Sequence, residues 1–305
     1  MPEIIDLNFQ GSANVIACAV LRTPDGLALV DPGPTSCLAT LEAGLASMGA
    51  SLSDVRTLLL THIHLDHAGA AGTIARRVPG VRVMVHERGA PHMIDPAKLI
   101  ASATRLYGDQ MDRLWGAFEP VPADAVQIVR DNDEVAIGGR PLRVRETPGH
   151  AVHHVTYFDP AERVAYVGDT GGIHVSHGYV LAPTPPPDID LEAWADSLDR
   201  IEALEASRLV LTHYGIVDGV PGHLARFRQT LRRTADIVRE TLAGPGDDEE
   251  KIRAFTERLR ADVRQVMPEA DAQATELAAP FGQLWQGLAR YFRKRASASL
   301  PPQAR

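Results

Sequence analysis

Two cysteines, Cys18 and Cys37, are all that this chain of 305 residues contains. They are too few for a disulfide framework and fit a reducing compartment better. Long apolar runs are missing as well. The stretch Val15-Ile16-Ala17-Cys18-Ala19-Val20-Leu21 falls far short of the ~20 residues a spanning helix needs and reads as a buried strand. The opening Met1-Pro2-Glu3-Ile4-Ile5-Asp6 lacks the basic segment that begins a secretory signal. Positive charge is in deficit: the formal net charge is −8, which speaks against nucleic acid and anionic membranes as partners while leaving room for a local basic pocket. The expectation is a cytoplasmic protein that acts on a small molecule. A hydrophobic share of 45% permits a sizeable core, arranged as one large domain or a domain with an appendage.

What is present begins with short β-rich runs alternating with helical ones. Val15 to Leu21 and Gly26 to Val30 read as strands joined by Thr23-Pro24-Asp25-Gly26. Ser36 to Gly49 reads as a helix, Val55 to Thr61 as a strand, Ala68 to Val78 as a helix and Val81 to Val85 as a strand. Between Glu87 and Pro122 the strand pattern lapses, and large apolar groups such as Leu99, Leu106, Trp115 and Phe118 suggest a helical insertion beside the site, as a lid or as an ordinary surface pair. Strands return at Gln127–Val129, Glu134–Ile137, Leu142–Glu146, Val155–Phe158 and Val164–Val167, with Arg208 to Thr212 as the last. After Gly222 the pattern predicts three helices, over His223–Leu242, Asp247–Met267 and Asp271–Arg295. They would cover the site or form a homodimer contact. The tail from Ser297 to Arg305 is expected to be disordered. The division is a catalytic domain over 1–222, with 87–122 as its insertion, and a helical extension over 223–305.

The most informative segment is Thr61-His62-Ile63-His64-Leu65-Asp66-His67. Side chains at i and i+2 of an extended segment point the same way, so His62 and His64 can share an ion. A turn immediately afterwards lets Asp66 and His67 face a second one. Imidazole with carboxylate suits zinc, and also iron or manganese. Three further strand ends carry donors: Thr147-Pro148-Gly149-His150, Val167-Gly168-Asp169-Thr170 and Val210-Leu211-Thr212-His213.

This ordered set resembles the metallo-β-lactamase superfamily, in motif style its glyoxalase II and lactonase-like branch, over roughly residues 10 to 220. The resemblance implies an α+β four-layer αββα sandwich with two divalent ions at one edge. By it, His62, His64 and His150 would hold the first ion, Asp66, His67 and His213 the second, and Asp169 would bridge. Asp31, in Leu29-Val30-Asp31-Pro32-Gly33, would support the metal loop through hydrogen bonds. Two ions ~3.5–4 Å apart share a water and lower its pKa, so that hydroxide attacks a carbonyl polarised by one of them. Asp66 could orient that hydroxide and carry its proton.

His154 falls where the glyoxalase II pattern T-P-G-H-x-x-G-H also has a histidine, and reads as support rather than ligand. His153 stands at that pattern's glycine, a departure that would crowd the pocket edge. His174, His177 and Tyr214 are candidates for lining a substrate pocket, against surface or packing roles. An aspartate at 169, where penicillin-degrading class B1 enzymes use cysteine, argues against that activity. Gly172 stands where lactonases carry a tyrosine. The expected reaction is hydrolysis of a carboxylic ester, thioester or lactone. The rivals are a mononuclear iron sulfur dioxygenase and a non-hydrolytic regulatory protein of this fold, since a quinolone-signal response protein also carries C-terminal helices.

Overall fold

The computed structural model describes residues 1–175 and 179–298. Its first sheet contains, in spatial order, β1 (Glu3–Asp6), β2 (Ala17–Thr23), β3 (Gly26–Val30), β4 (Val55–Leu59), β5 (Arg82–His86) and β6 (Val126–Val129). β1 to β3 pair antiparallel, β3 to β6 parallel. The second sheet holds β7 (Glu134–Ile137), β8 (Arg140–Glu146), β9 (Val155–Asp159), β10 (Val164–Tyr166), β11 (Arg208–Leu211) and β12 (Gly215–Asp218), also in chain order. All its neighbours are antiparallel except β10 and β11. The helices before β7 are α1 (Leu38–Ser47), α2 (Leu65–Ala68), α3 (Ala71–Arg77), α4 (Ala90–Ile94), α5 (Ala97–Tyr107) and α6 (Met111–Trp115). Those after β10 are α7 (Leu191–Glu202), α8 (Val220–Ala243), α9 (Asp248–Arg264), α10 (Glu269–Ala278) and α11 (Phe281–Ala298).

The two-residue period of the strands sorts their side chains into three cores. In β2 and β3, Cys18, Val20, Leu27 and Leu29 face the outer layer, where they join Leu41 and Leu45 of α1 and Ile74 of α3. Their alternates Ala19, Leu21, Ala28 and Val30 pack between the sheets against Val144, Tyr157, Tyr166 and Val210. In β10 and β11, Ala165, Leu209 and Leu211 point outward to Trp194 of α7 and Phe227 of α8. Both faces of the central strands are thus buried, which is why they read as unbroken apolar runs. The result is an αββα sandwich with C-terminal helices.

Several sequence expectations need correction. Arg208–Thr212 is not the last strand, because β12 returns beside it. The N-terminal residues Glu3–Asp6 form an edge strand that no sequence expectation covers; two polar ends around Ile4-Ile5 leave almost no pattern. The helix expected over Ala68–Val78 is two pieces, and its first turn already contains Asp66 and His67. The third C-terminal helix is also two, since Pro280 follows α10 and precedes α11. Asp247 and Glu250 do form a reciprocal capping box at α9. Ser297 and Ala298 are helical, and 299–305, the rest of the expected disordered tail, lie outside the described residues. Among the described residues no helix is long and apolar enough to cross a membrane.

Candidate metal centre

Strand ends of both sheets converge on one edge of the sandwich. Beyond β4 the chain stays extended to His64, whose ψ is 156°, and then turns into α2. That places His62 and His64 together and swings Asp66 and His67 beside them. From the second sheet come His150 after β8, Asp169 after β10 and His213 after β11. Gly149, at φ +135°, is needed because a Cβ there would lie 2.4 Å from Trp194 Cβ.

The donors fall into groups able to hold a metal: His62, His64 and His150; Asp66, His67 and His213; and His62, His67 and Asp169. In the first, His64 Nδ1 lies 2.9 Å from both His62 Nε2 and His150 Nε2, which are 3.2 Å from each other. Ligand atoms bound at about 2.0–2.1 Å around a tetrahedral ion sit about 3.3 Å apart, so the triad has the right size. In the second, Asp66 Oδ2 lies 3.3 Å from His213 Nε2 and 3.7 Å from His67 Nε2. Asp169 stands between them: Oδ2 is 3.4 Å from His150 Nε2, while Oδ1 is 3.2 Å from His67 Nε2.

Hydrogen bonds behind the rings fix which nitrogen faces the cluster. His150 Nδ1 donates to the Pro183 carbonyl at 2.8 Å, His213 Nδ1 to the Val15 carbonyl at 2.6 Å, and His67 Nδ1 to Asp31 Oδ2 at 2.8 Å. In its neutral form each imidazole therefore turns an Nε2 lone pair to the cluster, as metal ligation requires. His67 Nε2 and Asp169 Oδ1 are buried 3.2 Å apart with no other hydrogen-bond partner, a pairing that a cation shared between them would satisfy.

The electrostatics point the same way. Burial drives His62 well below its ordinary value, His64 down to about 3, and His150 down as well. At His67 and His213 burial pulls down too, but Asp169 and Asp66 outweigh it and raise both. Asp66, despite burial, is held down to about 2 by His67 and His213; Asp169 is held well below the carboxylate range by His67, His150 and His213. The carboxylates call for positive charge, which a divalent cation held by these residues would supply in place of the protons on His67 and His213.

Around this cluster the structure places the remaining candidates. Asp31, at φ +49°, accepts hydrogen bonds from the Thr61 amide, the Thr61 and Thr212 hydroxyls and His67. His154 stacks on His62 at 5.0 Å between ring centroids, with Nδ1 3.0 Å from the Thr147 hydroxyl and Nε2 accepting from the Thr170 amide. Both its nitrogens are thus engaged away from the donors. His174 and Tyr214 do not line the cavity over the cluster: the first packs against His223, and the second lies beside Asp6, where burial and that carboxylate push its hydroxyl up to about 12. His177 lies outside the described residues.

That cavity, of about 440 Å³, has His64, Asp66, His150 and Asp169 in its floor. α5 contributes Lys98, Leu99, Leu106 and Tyr107, while Gln283 and Leu284 come from α11 and Pro280 from the break before it. Arg88, His92 and His153 also line it. Sequence reasoning assigned no pocket role to the cations or to Tyr107; the only signal was the lapse of strand pattern after Glu87.

The family model described as the metallo-beta-lactamase superfamily matches residues 11–213. A metallo-beta-lactamase fold-containing protein of Sulfurisphaera tokodaii is 30% identical over 183 residues, 58% of this chain and 68% of that one. A hydroxyacylglutathione hydrolase of Methylobacterium nodulans is 34% identical over 251 residues, covering 80% of this chain and 76% of the relative. Among solved structures, a metallo-beta-lactamase family protein from Thermus thermophilus is similar in fold, with a TM-score of 0.68 at 23% identity over 92% of this chain and 89% of its own. With the family model spanning two thirds of the chain, from residue 11, ahead of β2, to the last donor, His213, this chain belongs to the metallo-β-lactamase superfamily.

Proposed function

We propose that the protein is a cytoplasmic metal-dependent hydrolase of a carboxylic ester, thioester or lactone, with two divalent ions, zinc foremost, in the donor cluster. The observation that carries the reading is the position of Asp169 between two triads of converging donors at the floor of a largely apolar cavity. The hydroxyacylglutathione hydrolase of Methylobacterium nodulans adds support for an acyl substrate. We assign residues 1–222 to the catalytic body, 87–122 to its cover and 223–305 to the helical extension.

His62, His64 and His150 would hold one ion and Asp66, His67 and His213 the other, with Asp169 shared. Ions at those places supply Lewis acidity and lower the pKa of a water. The chain's own residues do the rest. Asp66 has 19% of its side chain exposed and faces the cavity, so the carboxylate oxygen not engaged in the triad orients the attacking water and takes up its proton. The apolar walls seat the acyl part and keep bulk water from the carbonyl. Asp31 and the carbonyls of Pro183 and Val15 fix the rings so that ligands need no reorganisation.

The test is metal analysis of purified protein combined with a hydrolysis screen over thioesters, lactones, aryl esters and phosphodiesters. Two equivalents of metal and turnover of an acyl substrate are expected. One iron per chain with oxygen consumption on a persulfide would replace this reading with a dioxygenase.

A further inference from the structure

Resting on the hydrolase reading, we propose that the substrate carries an oxyanion, a carboxylate or a phosphate, which docks on a polar wall of the cavity formed by His153, Arg88 and Lys98. Its apolar part lies along Leu99, Leu106 and Leu284.

His153 is 8% exposed, lines the cavity, and sits 5.9 Å from His64 between ring centroids. Among the described residues it has no hydrogen-bond partner, and its Nδ1 is fully buried. Buried polar side chains nearly always have partners. With Nδ1 closed off from the cavity, a substrate atom meets this imidazole at Nε2, for which no hydrogen bond is found among the described residues. Arg88 and Lys98 repeat the pattern in charge. Neither is in an ion pair among the described residues, although acids are close in sequence. Glu87, the neighbour of Arg88, pairs instead with Arg130 at 2.6 Å, and Asp95 accepts from the Ala97 amide. Apart from the two donor aspartates, Asp188 is the one acid of the lining. In a chain of net charge −8, two uncompensated cations beside a metal cluster concentrate positive potential where a ligand enters. The same lining also holds the aliphatic Leu99, Leu106 and Leu284, so polar and apolar parts together select an amphiphilic acyl anion over a neutral ester.

The experiment compares, on the metal-loaded full chain, the para-nitrophenyl monoester of glutarate, the neutral para-nitrophenyl pentanoate and a phosphate-terminated para-nitrophenyl ester of similar length. Either anionic ester should exceed the neutral one in kcat/KM by about tenfold or more, as charge-assisted hydrogen bonds imply; the better of the two identifies the oxyanion. The ratio should collapse toward one in Arg88→Met/Lys98→Met and in His153→Phe, which keeps the ring volume. A second readout is calorimetric binding of glutarate against pentanoate. Both offer one carboxylate to the metals, so the tighter binding of glutarate, and its loss in Arg88→Met/Lys98→Met, reports the wall alone. Equal kcat/KM for charged and neutral esters with equal binding of the two acids overturns the oxyanion site and leaves the hydrolase standing. Preferential binding of glutarate with no ester cleaved does the reverse.

Discussion

His67 Nδ1 and Asp31 Oδ2 meet at 2.8 Å with both side chains fully buried. This pair sets the tautomer of a donor while the same carboxylate ties down Thr61 and Thr212, linking the ends of β4 and β11. Asp31→Asn keeps the shape but presents an amide to one of those donors. Metal affinity should fall about 10–100-fold, the usual effect of losing such an orienting partner. Competition with a chromophoric chelator measures it; unchanged affinity would remove Asp31 from any role in the centre.

Asp66 and Asp169 should separate by stoichiometry. Asp169 touches both triads, so Asp169→Ala is expected to lower metal content at both places and to abolish turnover. Asp66→Asn should spare the three-histidine group, leaving about one metal per chain while kcat falls by about two to four orders of magnitude, as expected when a proton acceptor is lost. Elemental analysis alongside the rate checks both, and full metal content with normal kcat in Asp66→Asn would contradict the role given to Asp66.

Gly168 offers a test that removes no donor. At φ +44°, an added Cβ would lie 2.4 Å from Thr61 Oγ1 and 2.9 Å from His154 Nε2. Gly168→Ala should therefore cost about 1–3 kcal/mol in backbone strain and push Asp169 off its station. Lower thermal stability together with lower metal content is the expected outcome, read by scanning calorimetry with and without chelator.

Acid should weaken the fold partly through His223. Burial pushes this residue down to about 4, against the hydrogen bond to the Gly171 carbonyl, which pulls it up. The unfolded chain, at an ordinary value near 6.5, binds the proton first. Stability is therefore fully present above that value and drains as pH falls toward 4, with about 2 kcal/mol gone by pH 5. Urea unfolding at pH 7.5 and pH 5 in chelator should show His223→Gln losing less over this interval than the parent. An equal loss in both would assign the acid sensitivity elsewhere.

The seven candidate donors could be read from the chain because each stands at a strand end or in the turn just after it, in a short segment whose period announces it. His62 and His64 need only the alternation of an extended backbone to share a side. The cavity walls were hidden for the opposite reason. Tyr107 and Gln283 are 176 residues apart yet are joined at 3.3 Å, and no local pattern encodes such a meeting. Similarly, β1 and β12 are four residues each and exist through pairing with β2 and β11 rather than through their own composition. The break between α10 and α11 was written in Pro280, but the apolar stripe running on either side masked it. His153 was noticed as a departure from a motif; only its burial without a partner turns that oddity into a substrate contact.

Neither sheet owns a complete ligand set. Each outer triad mixes donors carried by the first sheet with one carried by the second, and Asp169 reaches from the second to both. An ion seated there is thus a rivet through the two halves of the sandwich, fastened at one edge and absent from the other. Cutting the backbone at the turn around Asn132, between β6 and β7, divides the donors into a quartet and a trio. Reassembly of those two fragments would make metal binding itself the measure of sheet docking.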